Sequence, residues 1–161
     1  MKQPSVGRAI EIRKATAVAD DILVQHYLAL WESYGTPDDQ MQPDATARVL
    51  AFIQDARKHR GLAVFIATVD GDVAGSIACQ RHISPYPDVV MPVHRQYGYI
   101  WSVYVEPAHR RLGIARRLVD QALDHLRSIG CTTAVLHSSE AGEMLYEQAG
   151  FKLAKEMRRA L

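Results

Sequence analysis

The run Val103-Tyr104-Val105-Glu106-Pro107-Ala108-His109-Arg110-Arg111-Leu112-Gly113-Ile114-Ala115-Arg116-Arg117-Leu118 sets arginines around one glycine, between an apolar stretch and a helical pattern. A helix N-terminus presents unpaired backbone N–H groups and partial positive charge, so it binds phosphate when the preceding turn lets a ligand come close. Gly113 and Ala115 are the small residues such an approach needs, and Arg111 and Arg116 are the side chains best suited to add charge. The same pattern also suits an ordinary turn with solvated arginines. Neither G-x-x-x-x-G-K-[ST] nor G-x-G-x-x-G occurs here, which argues against a nucleotide P-loop and a dinucleotide fingerprint.

The elements that must position this turn are legible from spacing. A strand is expected around Ala9–Arg13, then a helix from Ala17 to Tyr34 with Leu23, Tyr27, Leu30, Trp31 and Tyr34 at helical intervals. A proline-punctuated acidic connection leads to a second helix, with Ala45, Val49, Phe52, Ile53 and Ala56 on one face and Gly61 at its end. Leu62–Val69 and Val73–Gln80 form a hairpin about Asp70-Gly71-Asp72. Pro85, Pro87 and Pro92 make residues 81–96 a long loop before the strand Tyr97–Val105. Beyond the turn, Ile114, Leu118, Ala122, Leu126 and Ile129 mark a helix, and Cys131–His137 a strand. A short helix N-capped by Ser139 runs through Gln148, and Phe151–Met157 closes the chain as a last strand. The order β-α-α-β-β-β-α-β-α-β predicts an α/β (α+β) fold: one domain over 1–161, a central sheet covered by helices.

V-x-V-x-P-x-x-R-x-x-G-x-A over Val103–Ala115, followed by S-x-x-G-x-x-L-Y-E-x-x-G-F over Ser139–Phe151, resembles the GNAT superfamily of acyl-CoA-dependent N-acetyltransferases. The resemblance implies a mixed, mostly antiparallel sheet with splayed central strands and acetyl-CoA as co-substrate. It implies that Arg110, Arg111, Leu112, Gly113, Ile114, Ala115 and Arg116 cradle the pyrophosphate of coenzyme A. A bulged preceding strand would pair Val103, Tyr104 and Val105 with the pantetheine arm. The Val105 N–H is then assigned to the acetyl oxyanion, where a fixed donor is worth about 3 kcal/mol. Tyr146 matches the tyrosine that protonates the departing thiolate. Ser139 stands where an asparagine is common, with a shorter reach toward the arm.

The general base stays open among His94, Glu32, His137 and a water relay, because Trp101 and Ser102 stand where a strand carboxylate is often found. Glu106 lies beyond the strand and reads equally as a solvated turn residue. The seven histidines show no metal-ligand spacing, and Cys79 and Cys131 read as strand residues rather than nucleophiles. No metal is therefore expected, and transfer should be direct, within a ternary complex.

With 19 basic and 18 acidic residues, the formal charge of +1 calls for neither nucleic acid nor an anionic membrane. No apolar run nears the ~20 residues that cross a bilayer, and the N-terminal stretch lacks a signal-peptide core, so a cytoplasmic location is expected. The acceptor is expected to be a small-molecule amine or amino acid, entering between the Tyr34–Asp44 connection and the His82–Gln96 loop. Asp38, Asp39 and Asp88 are candidates to attract it, and Trp31, Tyr34, Tyr86 and Tyr97 to wall it. A protein N-terminus or lysine as acceptor, and a non-catalytic acyl-CoA sensor, are the rival readings. Family members often pair through sheet edges, so the resemblance also admits a homodimer.

Overall fold

The structure, a computed structural model, describes residues 8–161. Strands β1 (Ile10–Ala15), β2 (Ala63–Val69), β3 (Asp72–Arg81), β4 (Tyr97–Val105) and β5 (Thr133–Val135) form one sheet in that spatial order. The first three neighbouring pairs are antiparallel and β4–β5 is parallel. Helices α1 (Asp20–Ser33) and α2 (Ala45–His59) cover one face; α3 (Ile114–Ser128) covers the other, and α4 (Glu140–Gln148) follows β5.

Strand alternation divides the core between the two faces. Ala63, Phe65, Ala67 and Val69 of β2 point to the α3 side, where they meet Leu118, Val119, Ala122 and Leu126. Val64 and Ile66 point to the opposite side and meet Leu23, Val24, Val49 and Ile53 of α1 and α2. The continuous apolar run in β2 is thus a strand buried on both faces. Asp70 and Gly71, with φ of 51° and 95°, form the two-residue hairpin turn to β3.

Two sequence expectations change. Phe151–Met157 is not a strand: Phe151 packs against the core, whereas Leu153 and Met157 are exposed. Its apolar alternation finds no surface to cover, and charged Lys152, Lys155 and Glu156 separate those positions. The Cys131–His137 strand is only Thr133–Val135, because β5 pairs with β4 at Tyr97, Gly98 and Tyr99 and then departs. That departure produces the splay. Among the described residues, no helix is long and apolar enough to cross a membrane.

Candidate active site

The cleft begins where β4 bends. Ser76 faces Tyr104 and Ala78 faces Trp101, so Ser102 and Val103 together oppose Ile77: β4 carries an extra residue, with Ser102 at φ 55°. Past this bulge β4 keeps β3 on one side and has lost β5 on the other. The Glu106 N–H donates to the Ala74 carbonyl at 2.8 Å on the β3 side. Alternation therefore turns the N–H and C=O groups of Val103 and Val105 toward the gap. Arg110 Nε donates to the Val105 carbonyl at 3.1 Å, tying the turn back to the strand end.

Pro107–His109 form a single helical turn, and the chain then enters α3 through Arg111 at φ 63° and Gly113 at φ 75°. Gly113 is the N-cap residue, and no side chain caps the helix. Arg117 N–H bonds the Gly113 carbonyl at 3.2 Å, while among the described residues the N–H groups of Ile114, Ala115 and Arg116 find no protein acceptor. A Cβ on Gly113 would meet nothing within 4 Å, so the space before these donors is open and glycine is required by its dihedral, not by crowding. This uncapped N-terminus, facing a cleft of about 730 Å³, fits a pyrophosphate.

Of the residues expected to hold coenzyme A, Val103, Tyr104, Val105, Arg110 and Arg111 line this cleft. Gly113, Ile114, Ala115, Ser139 and Tyr146 line it too. Leu112 instead packs against the core. The Arg116 side chain turns away: its Nε meets Asp120 at 3.0 Å and another guanidinium nitrogen donates to the Gln148 carbonyl at 2.9 Å. It fastens the end of α4 to α3, leaving Arg111 as the free guanidinium of the expected pair.

Tyr146 projects from α4 and packs edge-on against Phe151, with ring centroids 5.9 Å apart. Gly142 lies one helical turn earlier, and a Cβ there would sit 2.9 Å from Tyr146 Cε2, so this glycine makes room for the ring. Burial, then the nearby Tyr34, pushes the Tyr146 hydroxyl up to about 12, which keeps it protonated at neutral pH. Ser139 occupies the N-cap position of α4 without a side-chain capping bond, which leaves its hydroxyl available to the cleft.

A second cavity, of about 510 Å³, opens on the α1–α2 side and shares Leu30, Tyr34, Ile100, Trp101, Ser102 and His137 with the cleft. Trp31 and Tyr34 line it as expected, but Tyr86 and Tyr97 do not; both gather around Arg95, which also pairs with Asp88 at 3.2 Å. Asp38 and Asp39 line neither cavity. Sequence reasoning missed Tyr27, Phe52, Tyr99 and Trp101 in the wall. The alternation Tyr99–Trp101 in β4 was the available signal, and Phe52 was legible only as helix packing.

Among the candidate bases, His94 and Glu32 line neither cavity, whereas His137 lines both. His137 Nδ1 meets the Tyr99 hydroxyl, and its Nε2 meets Glu156 Oε2 at 2.9 Å. Hydrogen bonds from His137 and then Arg158 hold the Glu156 carboxyl below its ordinary value, while burial raises the Tyr99 hydroxyl. Glu106 is not simply solvated: it lies 3.2 Å from Nε2 of buried His26, whose Nδ1 meets Ser76 Oγ at 2.7 Å. Cys79 is buried in β3 with its thiol pushed up to about 12, chiefly by burial, which makes it unfit as a nucleophile.

A bulged strand that parts from its neighbour and feeds an uncapped, glycine-led helix defines an acyl-CoA-binding transferase. The family model described as the Acetyltransferase (GNAT) family matches residues 23–151, so the chain belongs to that family and is an acetyl-CoA-dependent acyltransferase. A glucosamine 6-phosphate N-acetyltransferase of Trypanosoma brucei brucei is 29% identical over 116 residues, 68% of this chain and 73% of that protein. A GCN5-related N-acetyltransferase from Ralstonia eutropha JMP134 superposes with a TM-score of 0.78 at 24% identity, covering 95% of this chain and 99% of that one. A predicted acetyltransferase from Clostridium acetobutylicum, solved with acetyl-CoA, gives 0.78 at 20% identity, covering 95% and 96%.

Proposed function

We propose that this protein transfers the acetyl group of acetyl-CoA directly to a primary amine of a small molecule, within a ternary complex. The observation that carries the reading is the meeting of two cavities at Ser102 and His137, one lined by the cradle and Tyr146, the other lined by aromatic side chains. Aromatic side chains from α1, α2 and β4 converge there on a cavity of about 510 Å³, which matches the size of a small organic acceptor. The trypanosomal relative supports N-acetylation; at 29% identity its sugar phosphate does not carry over.

In this reading the first-turn N–H groups of α3 and the Arg111 guanidinium hold the pyrophosphate. Backbone groups of Val103 and Val105 pair with the pantetheine arm. The sequence reading gives the oxyanion to the Val105 N–H; the junction beside Ser102 favours the outward N–H of Val103, two residues nearer the acceptor. The amine nitrogen attacks the thioester carbon, the C–S bond breaks, and the thiolate takes the Tyr146 proton. The proton lost by the amine passes to the Tyr99 hydroxyl as Tyr99 gives its own to His137 Nδ1, and Glu156 steadies the imidazolium. Tyr146 and His137 then exchange protons with water.

The test is acetyl-CoA with a panel of primary amines and short peptides, followed by free-thiol release. The expectation is amine-dependent release that falls at least tenfold in His137→Gln while acetyl-CoA affinity is kept. Tight acetyl-CoA binding without stimulation by any amine would instead establish a sensor, and peptides outperforming small amines a protein acetyltransferase.

A further inference from the structure

We infer that the acceptor is an arylalkylamine or similarly apolar amine, its ring held in an aromatic cage and its amino group presented at Ser102. The inference rests on the acetyltransferase reading above for the reaction, and on the cavity alone for the ligand.

Six aromatic side chains line the cavity: Tyr27, Trp31, Tyr34, Phe52, Tyr99 and Trp101. Five of them, all but Tyr99, meet edge to face. Tyr27 meets Trp101 at 5.4 Å and 90°, Phe52 meets Trp101 at 5.4 Å and 84°, and Trp31 meets Tyr34 at 6.0 Å and 79°. Trp101 Nε1 donates to Gln80 Oε1 at 3.3 Å, which fixes the central ring. Such a wall holds an aromatic body by stacking and edge contacts without rearrangement.

The charged side chains of the wall argue against polar acceptors. Among the described residues no carboxylate lines the cavity, so none of them there neutralises the extra charges of a polyamine. Arg48 is the guanidinium in the wall among the described residues, and Asp44 pairs with it at 2.7 Å, so a phosphate would have to compete with that carboxylate. An apolar cavity also favours the neutral form of an entering amine, which is the nucleophilic form.

The polar end of the cavity is equally specific. Ser102 is 6% exposed, its hydroxyl has no hydrogen-bond partner among the described residues, and it lies on the wall shared with the acetyl-CoA cleft. A buried unpaired hydroxyl is costly unless a ligand completes it. A rotation of this side chain into the cavity would offer the hydroxyl to the N–H of an acceptor amine at the place where transfer must occur.

The tryptophans of the chain are Trp31 and Trp101, and both line this cavity, so intrinsic fluorescence reports its occupancy independently of turnover. The experiment titrates 2-phenylethylamine, spermidine and glucosamine 6-phosphate by fluorescence and by thiol release, in the wild type, Phe52→Ala and Trp31→Ala. Both substituted residues are substantially exposed and outside the acetyl-CoA cleft. Expected are quenching by 2-phenylethylamine, its highest kcat/KM of the panel, and a KM raised about tenfold in each variant at unchanged acetyl-CoA affinity. Quenching by 2-phenylethylamine without turnover of any amine upholds the cage and overturns the transferase reading. Preferred turnover of spermidine or the sugar phosphate overturns the cage and leaves the transferase standing. Absence of both quenching and turnover with 2-phenylethylamine overturns the inference.

Discussion

Replacing Tyr146 by phenylalanine removes one hydroxyl from a site that Gly142 and Phe151 shape around the ring, so geometry should survive while chemistry suffers. A free thiol titrates near ~8.5, about 3.5 units below the value of about 12 to which burial pushes this phenol. At about 1.4 kcal/mol per unit, full transfer to a solvated thiolate would be uphill by roughly 5 kcal/mol. In the proposed reaction Tyr146 would therefore act chiefly as a hydrogen-bond donor to charge growing on sulfur, releasing its proton as the dry cleft raises the thiol in turn. A hydrogen bond to a charged partner is worth about 1.5–3 kcal/mol, which corresponds to a loss of about 10- to 150-fold in kcat. The assay is thiol release from acetyl-CoA at saturating amine between pH 6 and 9, with acetyl-CoA affinity measured by calorimetry. The loss should be constant over that range and the affinity within about twofold of wild type. A kcat within twofold of wild type, or a wild-type rate that falls with an apparent pKa below about 10, would refute the assignment.

Gly113→Glu places a carboxylate before the uncapped N-terminus of α3 at a φ of 75°, and should lower acetyl-CoA affinity at least about a hundredfold by calorimetry. Gly142→Ala brings a methyl within 2.9 Å of the Tyr146 ring; steady-state kinetics should show kcat reduced about tenfold with acetyl-CoA affinity kept. His26 and His125 are both held below their ordinary 6.5, first by burial, so the unfolded chain binds the extra protons. Their contribution to stability is complete above pH 6.5 and is lost as pH falls below it. Melting temperatures between pH 7.5 and 5.5 should therefore drop in the wild type and drop less in the double variant His26→Gln/His125→Gln.

The parts of this molecule governed by local chemistry were legible in its sequence. The Asp70-Gly71-Asp72 turn between two apolar runs gave β2 and β3, helical spacing gave α1 to α3, and Gly113 stands at the start of α3, where a left-handed N-cap excludes most other residues. The resemblance located Tyr146 and the strand edge at Val103–Val105. What escaped depends on which surfaces meet. Arg116 reads as a phosphate ligand until Asp120 and the Gln148 carbonyl are seen to occupy it. Phe151–Met157 alternates like a strand, but whether a strand forms depends on an available edge, which no local pattern reports. The aromatic wall joins α1, α2 and β4, and the His137–Glu156 pair spans nineteen positions, so spacing alone could reveal neither.

The parting of β4 from β5 amounts to a sheet edge kept inside the molecule. Edges on a protein surface invite foreign strands, and natural sheets blunt them with charge or cover. This one is sheltered between α3 and α4, and an extended ligand arm bearing amides of its own can seat there. In the proposed binding mode acetyl-CoA would behave as a removable strand, its occupancy stabilising the fold by mass action as well as supplying the acetyl group. That mode would couple the protein's resistance to unfolding and proteolysis to the acyl-CoA supply around it.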